Sequence, residues 1–202
     1  MNYDEEILKR KKLLRQMAEN VQQEQLDSEK DKSILDGSVP IYGEEFAFER
    51  RILEGTNISI VMPVILEKLD DDMKKLMFPM GNTPETAYST DRDLFNIVIK
   101  RTNHIVPQDN IMDFTKASSQ LLEKMGPQIK ILKNYLCDIE DMQIGVMEYL
   151  TMALDGKAHN ISCIFPFKEG VLLIGFSFSV NVKERIHPII MEMLRTIHIE
   201  ED

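Results

Sequence analysis

Three stretches toward the C-terminal end, residues 142–153, 158–166 and 171–180, constrain the fold more than anything else in the sequence. In the last, Leu172, Ile174, Phe176, Phe178 and Val180 fall on every second position. A strand points alternate side chains to opposite faces, so this spacing reads as a half-buried β-strand. Ile144, Val146, Leu150 and Met152 share one face of the first stretch, interrupted by Glu148. Asp155 and Gly156 between the first two stretches tolerate the positive φ that a tight hairpin turn needs. Long strands joined by tight turns must pair antiparallel, because a parallel crossover needs a dozen or more residues.

Upstream signals extend the sheet. Phe46 and Phe48, then Ile58 and Ile60, alternate around the turn-forming Glu54-Gly55-Thr56-Asn57, which reads as a hairpin over residues 45–62. Residues 94–101 read as a further strand, and 129–139 as a weaker one. Leu66, Leu69, Met73 and Leu76 are spaced as a helical face after Pro63. A second helix has Ile111, Phe114, Leu121 and Met125 on its face, Asp109 or Asn110 as its cap, and Gly126-Pro127 as its stop. Ile186, Ile190, Met193 and Ile197 trace a last helix, in which Pro188 is tolerable only near the first turn. Phe176 should be buried. The expected class is α+β: one mainly antiparallel sheet covered by helices, in an α/β/α arrangement.

Residues 4–25 read as a separate helix. Ile7, Leu14 and Val21 recur every seven residues, with Met17 beside them, and Glu5–Lys9 and Glu6–Arg10 are i,i+4 pairs in the favourable order. The stripe is narrow, and a helix of this length needs a partner surface to persist. Residues 26–38 are polar and read as a linker. The expected organisation is a charged N-terminal helix and linker over 1–38 and one domain over 39–202. We expect the helix to be dispensable for folding, with Ile7, Leu14, Met17 and Val21 serving assembly or partner binding.

Charge narrows the partners. Net charge is −10. Residues 1–32 hold seven basic and eight acidic side chains, so the rest of the chain carries −9, that is −10 less −1. Such a field repels nucleic-acid phosphates and anionic membranes. No apolar run approaches the ~20 residues of a membrane-spanning helix. The acidic start is unlike a secretory signal, so we expect no membrane insertion, no export by that route and a cytoplasmic location.

No sequence motif carries chemistry. Phosphate loops of the G-x-x-x-x-G-K-[ST] or G-x-G-x-x-G type, the H-E-x-x-H pattern and the G-x-S-x-G elbow do not occur. Asp70-Asp71-Asp72 point ~100° apart on a helix, so they cannot converge on one ion and read as a solvated face. His104, His159, His187 and His198 are not spaced for a shared metal site. His159, just after the Asp155-Gly156 turn, is expected to face water, and His187 to lie beside Pro188 at a helix start. Cys137 and Cys163 read as buried reduced thiols, with a regulatory disulfide as the alternative. Ser118 and Ser119 lie within a helix without a base nearby in sequence. Glu140, Asp141 and Glu148 lie near strands, with no pairing to claim. The expectation is therefore no catalytic residue, no metal and no cofactor. The 13 methionines read mainly as core filling, with an apolar groove for a partner helix as the sharper alternative.

Three cues together resemble a known family. They are Ile60-Val61-Met62-Pro63 after a hairpin, Phe78-Pro79-Met80-Gly81-Asn82-Thr83-Pro84-Glu85 before an extended strand, and the closing run of strands ending in Met193-Leu194-Arg195-Thr196-Ile197-His198-Ile199. Over about residues 42–199 their order resembles the PsbP-like α/β/α sandwich, in particular its DcrB-type bacterial branch. Thr83 stands where the family pattern has an arginine. The resemblance implies a non-enzymatic adaptor or chaperone-like subunit. Members include a photosystem II extrinsic subunit, a Ran-binding nuclear import factor and chaperones for secreted bacterial toxins. The partner would be another protein, either a secreted effector or a second copy of this chain. The alternative is a small-molecule or lipid-binding domain with an apolar pocket between sheet and helices.

Overall fold

The computed structural model describes residues 32–78, 83–90, 94–126, 128–153, 156–167 and 169–200. Ile7, Leu14, Met17 and Val21 lie outside them. The chain divides at Phe48 into two units.

In the first unit, Ser33 opens a single 3-10 turn over Ile34–Asp36 through a reciprocal capping box. Gly37, at φ 89°, closes it in the left-handed region that glycine enters without steric cost. Strand β1 (Ser38–Ile41) then pairs antiparallel with the start of β2 (Glu44–Ile52), Ile41 opposite Glu44 and Ser38 opposite Ala47. The connecting Tyr42 and Gly43 both have positive φ, 52° and 80°, which matches the twist of a two-residue hairpin. Residues 33–38, read from sequence as the end of a linker, are thus ordered structure, with the Ile34 side chain buried.

The second unit begins within β2. The rest of that strand, β3 (Ile58–Pro63) and β11 (His198–Ile199) lie side by side in that order. A separate seven-stranded sheet runs β4 (Glu67–Lys68), β5 (Thr86–Ser89), β6 (Asn96–Thr102), β10 (Gly170–Ser179), β9 (Gly156–Phe167), β8 (Met142–Ala153), β7 (Lys130–Ile139). Its pairings are antiparallel. The expectation of one sheet is corrected: β3 is buried along its whole length and pairs with β11.

Among the described residues three α-helices connect the strands, α1 (Asp71–Met77), α2 (Ile111–Met125) and α3 (Lys183–Arg195). Alternate residues of β8 reveal two covered faces. Gly145 faces α2 so closely that a Cβ there would lie 1.9 Å from the Thr115 hydroxyl. On the other face of β8, Ile144 and Val146 are buried and Glu148 meets His187 of α3. Phe176 is 1% exposed, as its strand face requires.

Helical periodicity misled twice. Leu66, Leu69, Met73 and Leu76 do not form one buried face. Leu66 is buried ahead of β4, whereas Met73 and Leu76 are exposed on a helix starting only at Asp71. Asp70 caps that helix by accepting from the Met73 N–H, and Asp71 and Asp72 pair with Lys74 and Lys75, so the acidic run serves the helix end. In α2 the buried residues are Ile111, Thr115 and Ser119, while Leu121 and Met125 are exposed. Asn110 occupies the cap position of α2 without a side-chain bond. In α3 the expected Ile186, Ile190 and Met193 are buried, and Ile197 is buried just beyond its end. Pro188 sits inside α3 rather than in its first turn.

Candidate functional site

The buried face of β8 is apolar except at Glu148, whose side chain is 3% exposed. A carboxylate taken out of water must be paired or neutralised. The neighbouring strands provide the partners. Lys133 on β7 stands directly opposite Glu148, and Tyr135 is two residues on, opposite Val146. Ile161 on β9 is the direct neighbour on the other side, which leaves His159, opposite Leu150, diagonal to Glu148. Diagonal pairs are within reach of long side chains. His187, in α3, closes the group from above the sheet.

The carboxylate is saturated with donors. His159 Nε2 lies 3.1 Å from Oε2. His187 Nε2 lies 3.3 Å from Oε2 and 3.4 Å from Oε1. The Lys133 ammonium is 3.0 Å from Oε1, and the Tyr135 hydroxyl donates to Oε1 at 3.0 Å. Burial alone would raise the Glu148 pKa; hydrogen bonds from His159, His187, Lys133 and Tyr135 outweigh it and hold the carboxyl far below its usual range. Burial, and then the charge of Glu148, push the Tyr135 phenol well above its ordinary value.

His159 is fully buried, which corrects the expectation that it faces water: residue 159 has the same parity as Ile161, Cys163 and Phe165, the inward positions of β9. Its ring stacks on Phe178, the residue opposite it on β10, with centroids 5.1 Å apart, and meets the His187 ring edge-on at 5.5 Å. Its Nδ1 is buried without a hydrogen-bond partner. His187 and Lys133 reach the surface, with side chains 23% and 53% exposed. Linear spacing could not reveal this convergence. The available signal was Glu148 itself, a charge on an otherwise apolar strand face.

The other sequence candidates stay apart. His104 is exposed. His198 pairs through Nδ1 with Glu140, which also accepts from the Ile199 N–H at 3.2 Å. That pair lines an open, polar depression of about 350 Å³ together with Arg50 and Arg195. A second polar depression, about 390 Å³, lies beside it. Cys163 is buried, Cys137 is only half-buried, and both thiols are free. Ser119 accepts from Asn134 and donates to the Lys116 carbonyl. Among the described residues, no helix is long and apolar enough to cross a membrane.

No protein-family model and no curated protein matches the sequence. Solved structures do match the fold. The solution structure of cyanobacterial PsbP (CyanoP) from Synechocystis sp. PCC 6803 superposes with a TM-score of 0.56 at 11% identity, covering 75% of this chain and 92% of that one. A protein of unknown function from Pseudomonas aeruginosa, PA94, described as a putative regulator, gives a TM-score of 0.47 at 12% identity, covering 77% of this chain and 99% of that one. The fold is therefore similar to PsbP, a likeness that carries architecture and not activity.

Proposed function

We propose that the chain is a non-enzymatic protein-binding module, an adaptor or chaperone-like subunit of the bacterial cytoplasm, related to the DcrB-type branch of PsbP-like proteins. The observation that carries this reading is apolar exposure on two adjoining elements. Leu121 and Met125 on α2 are 63% and 72% exposed, and Leu132 and Leu136 on β7 are 40% and 37% exposed. The hydrogen bond from Asn134 to Ser119 ties these elements together. Among the described residues β7 is also the last strand of its sheet, and an edge strand can pair with a partner's backbone. Apolar side chains on a surface that also offers backbone donors and acceptors suit another polypeptide better than a small polar ligand. The two depressions beside Glu140 are open and polar, unlike the apolar pocket that the lipid-binding alternative needs. The partner is a secreted effector or a second copy of this chain, and the stripe of Ile7, Leu14, Met17 and Val21 would add to the same engagement.

The test is affinity recovery from the cell of origin with Leu121→Asp/Met125→Asp, using Leu76→Asp, at an exposed position on α1, as the control. Light scattering of the purified chains separates self-association from a foreign partner. Loss of the partner, or of the dimer, in the double variant alone supports the reading. Equal recovery and equal mass in all three chains overturns it.

A further inference from the structure

We propose that Glu148, His159 and His187 form a binding site for a divalent transition-metal ion of the zinc class. Three elements converge here: β8 supplies a carboxylate oxygen, β9 one imidazole and α3 another. The three ligand atoms lie within 4.8 Å of one another. Both imidazole Nε2 atoms approach the same Glu148 oxygen, at 3.1 and 3.3 Å. Two ligands bound at ~2.0–2.2 Å around a tetrahedral ion stand about this far apart. An ion can be seated once the two imidazole nitrogens, which lie within 4.8 Å of each other, draw in to the same spacing.

The donor set selects the ion. Two imidazoles and one carboxylate suit zinc and its first-row neighbours, whereas calcium and magnesium prefer all-oxygen surroundings. Three protein ligands leave a tetrahedral ion one open position. His187 and Lys133 are the members that reach solvent, so entry and the fourth, water ligand lie on their side. Lys133 acts as the built-in competitor. Its ammonium is 3.0 Å from Glu148 Oε1 and supplies the positive charge that an ion would otherwise bring. Because the lysine is half-exposed, it can withdraw into water when an ion arrives.

One feature limits affinity. Metal ligation needs the lone pair of Nε2, which places the ring proton on Nδ1. His159 Nδ1 is buried with no acceptor, whereas a ligating histidine ordinarily donates that proton to a neighbour. A missing partner of that kind weakens metal affinity ~10–100-fold, so binding should be weaker than in a closed structural zinc site.

The test uses the full chain without a histidine tag, stripped by chelator, and titrated with Zn2+ by calorimetry and with Co2+ by visible absorption. The expected result is one ion per chain, with intensified cobalt bands of a four-coordinate site. His187→Ala should weaken binding at least ~10-fold. Lys133→Ala should strengthen it, because the competing cation is gone. His198→Ala should bind as the parent does, which separates this site from the exposed Glu140–His198 pair. Ring-proton spectra of the parent chain give a second readout that needs no variant to fold: Zn2+ should shift the resonances of His159 and His187 and spare those of His104. Failure of both the parent and Lys133→Ala to bind a stoichiometric ion tighter than about 10 μM would overturn the proposal. So would unchanged affinity in His187→Ala, or loss of the ion in His198→Ala.

Discussion

Replacing Glu148 with glutamine keeps the side chain's shape and removes its charge, so it isolates what the carboxylate does for the fold. The two carboxylate oxygens accept from His159, His187, Lys133 and Tyr135. An amide presents one oxygen and one NH2 group, so on one side donors must face a donor. His159 cannot turn to water, being fully buried between Phe178 and the helix side of the sheet. Removing one partner of a buried ionic group costs about 3–5 kcal/mol, because the remaining groups stay desolvated. For a chain of this size each kcal/mol moves the melting temperature by ~2–4 °C, so Tm should fall by ~6–20 °C. The difference should also depend on pH. The folded Glu148 pKa is depressed, so its stabilising contribution is complete above the unfolded value near ~4.3 and fades as pH falls below it. Urea melts of both chains at pH 7, 5, 4 and 3.5, in chelator to exclude metal effects, would measure this. A gap under ~1 kcal/mol at pH 7, the range of ordinary surface changes, would refute the reasoning, as would a gap that does not narrow below pH 4.

Three further outcomes are expected. Phe176→Ala should destabilise by ~3–5 kcal/mol in a urea melt, since the ring is fully packed on the inward face of β10. Gly145→Ala should cost ~1–3 kcal/mol by the same assay, because its Cβ would collide with Thr115, which is buried and already committed to the Ile111 carbonyl. The pairing with Glu140 raises the His198 pKa, so its imidazole should titrate above ~6.5 in proton NMR, and Glu140→Gln should bring it back down. That pair's contribution is fully present below the ordinary histidine value and is lost as pH rises through the raised one.

What was legible in the sequence follows from where the periodicity is unambiguous. The strands of residues 142–153 and 171–180 appear within a residue of their expected bounds, because a face shared by Ile174, Phe176 and Phe178 has only one way to be buried. Helical spacing is a weaker guide, as 3.6-residue patterns arise by chance in a chain with 13 methionines. Leu121 and Met125 keep the right interval yet face outward, while α2 buries Thr115 and Ser119. Small residues were needed there because Gly145 brings the helix close to the sheet. Short strands such as β4, β5 and β11 carried no pattern long enough to read.

The site was hidden for a different reason. Its members are far apart in the chain, and only cross-strand register decides that Lys133 stands opposite Glu148 and His159 diagonal to it. A one-residue slip of β9 would turn His159 to the other face and leave Glu148 without that donor. A buried charge on an apolar strand is therefore a statement about register. It makes sense only if a neighbouring strand and a helix deliver polar partners to the same depth, and three elements do so here. The same polar cluster that specifies the register gathers two imidazoles around a carboxylate. Structural latch and ion site are thus two states of one arrangement, distinguished by whether a lysine or a metal provides the positive charge that Glu148 requires.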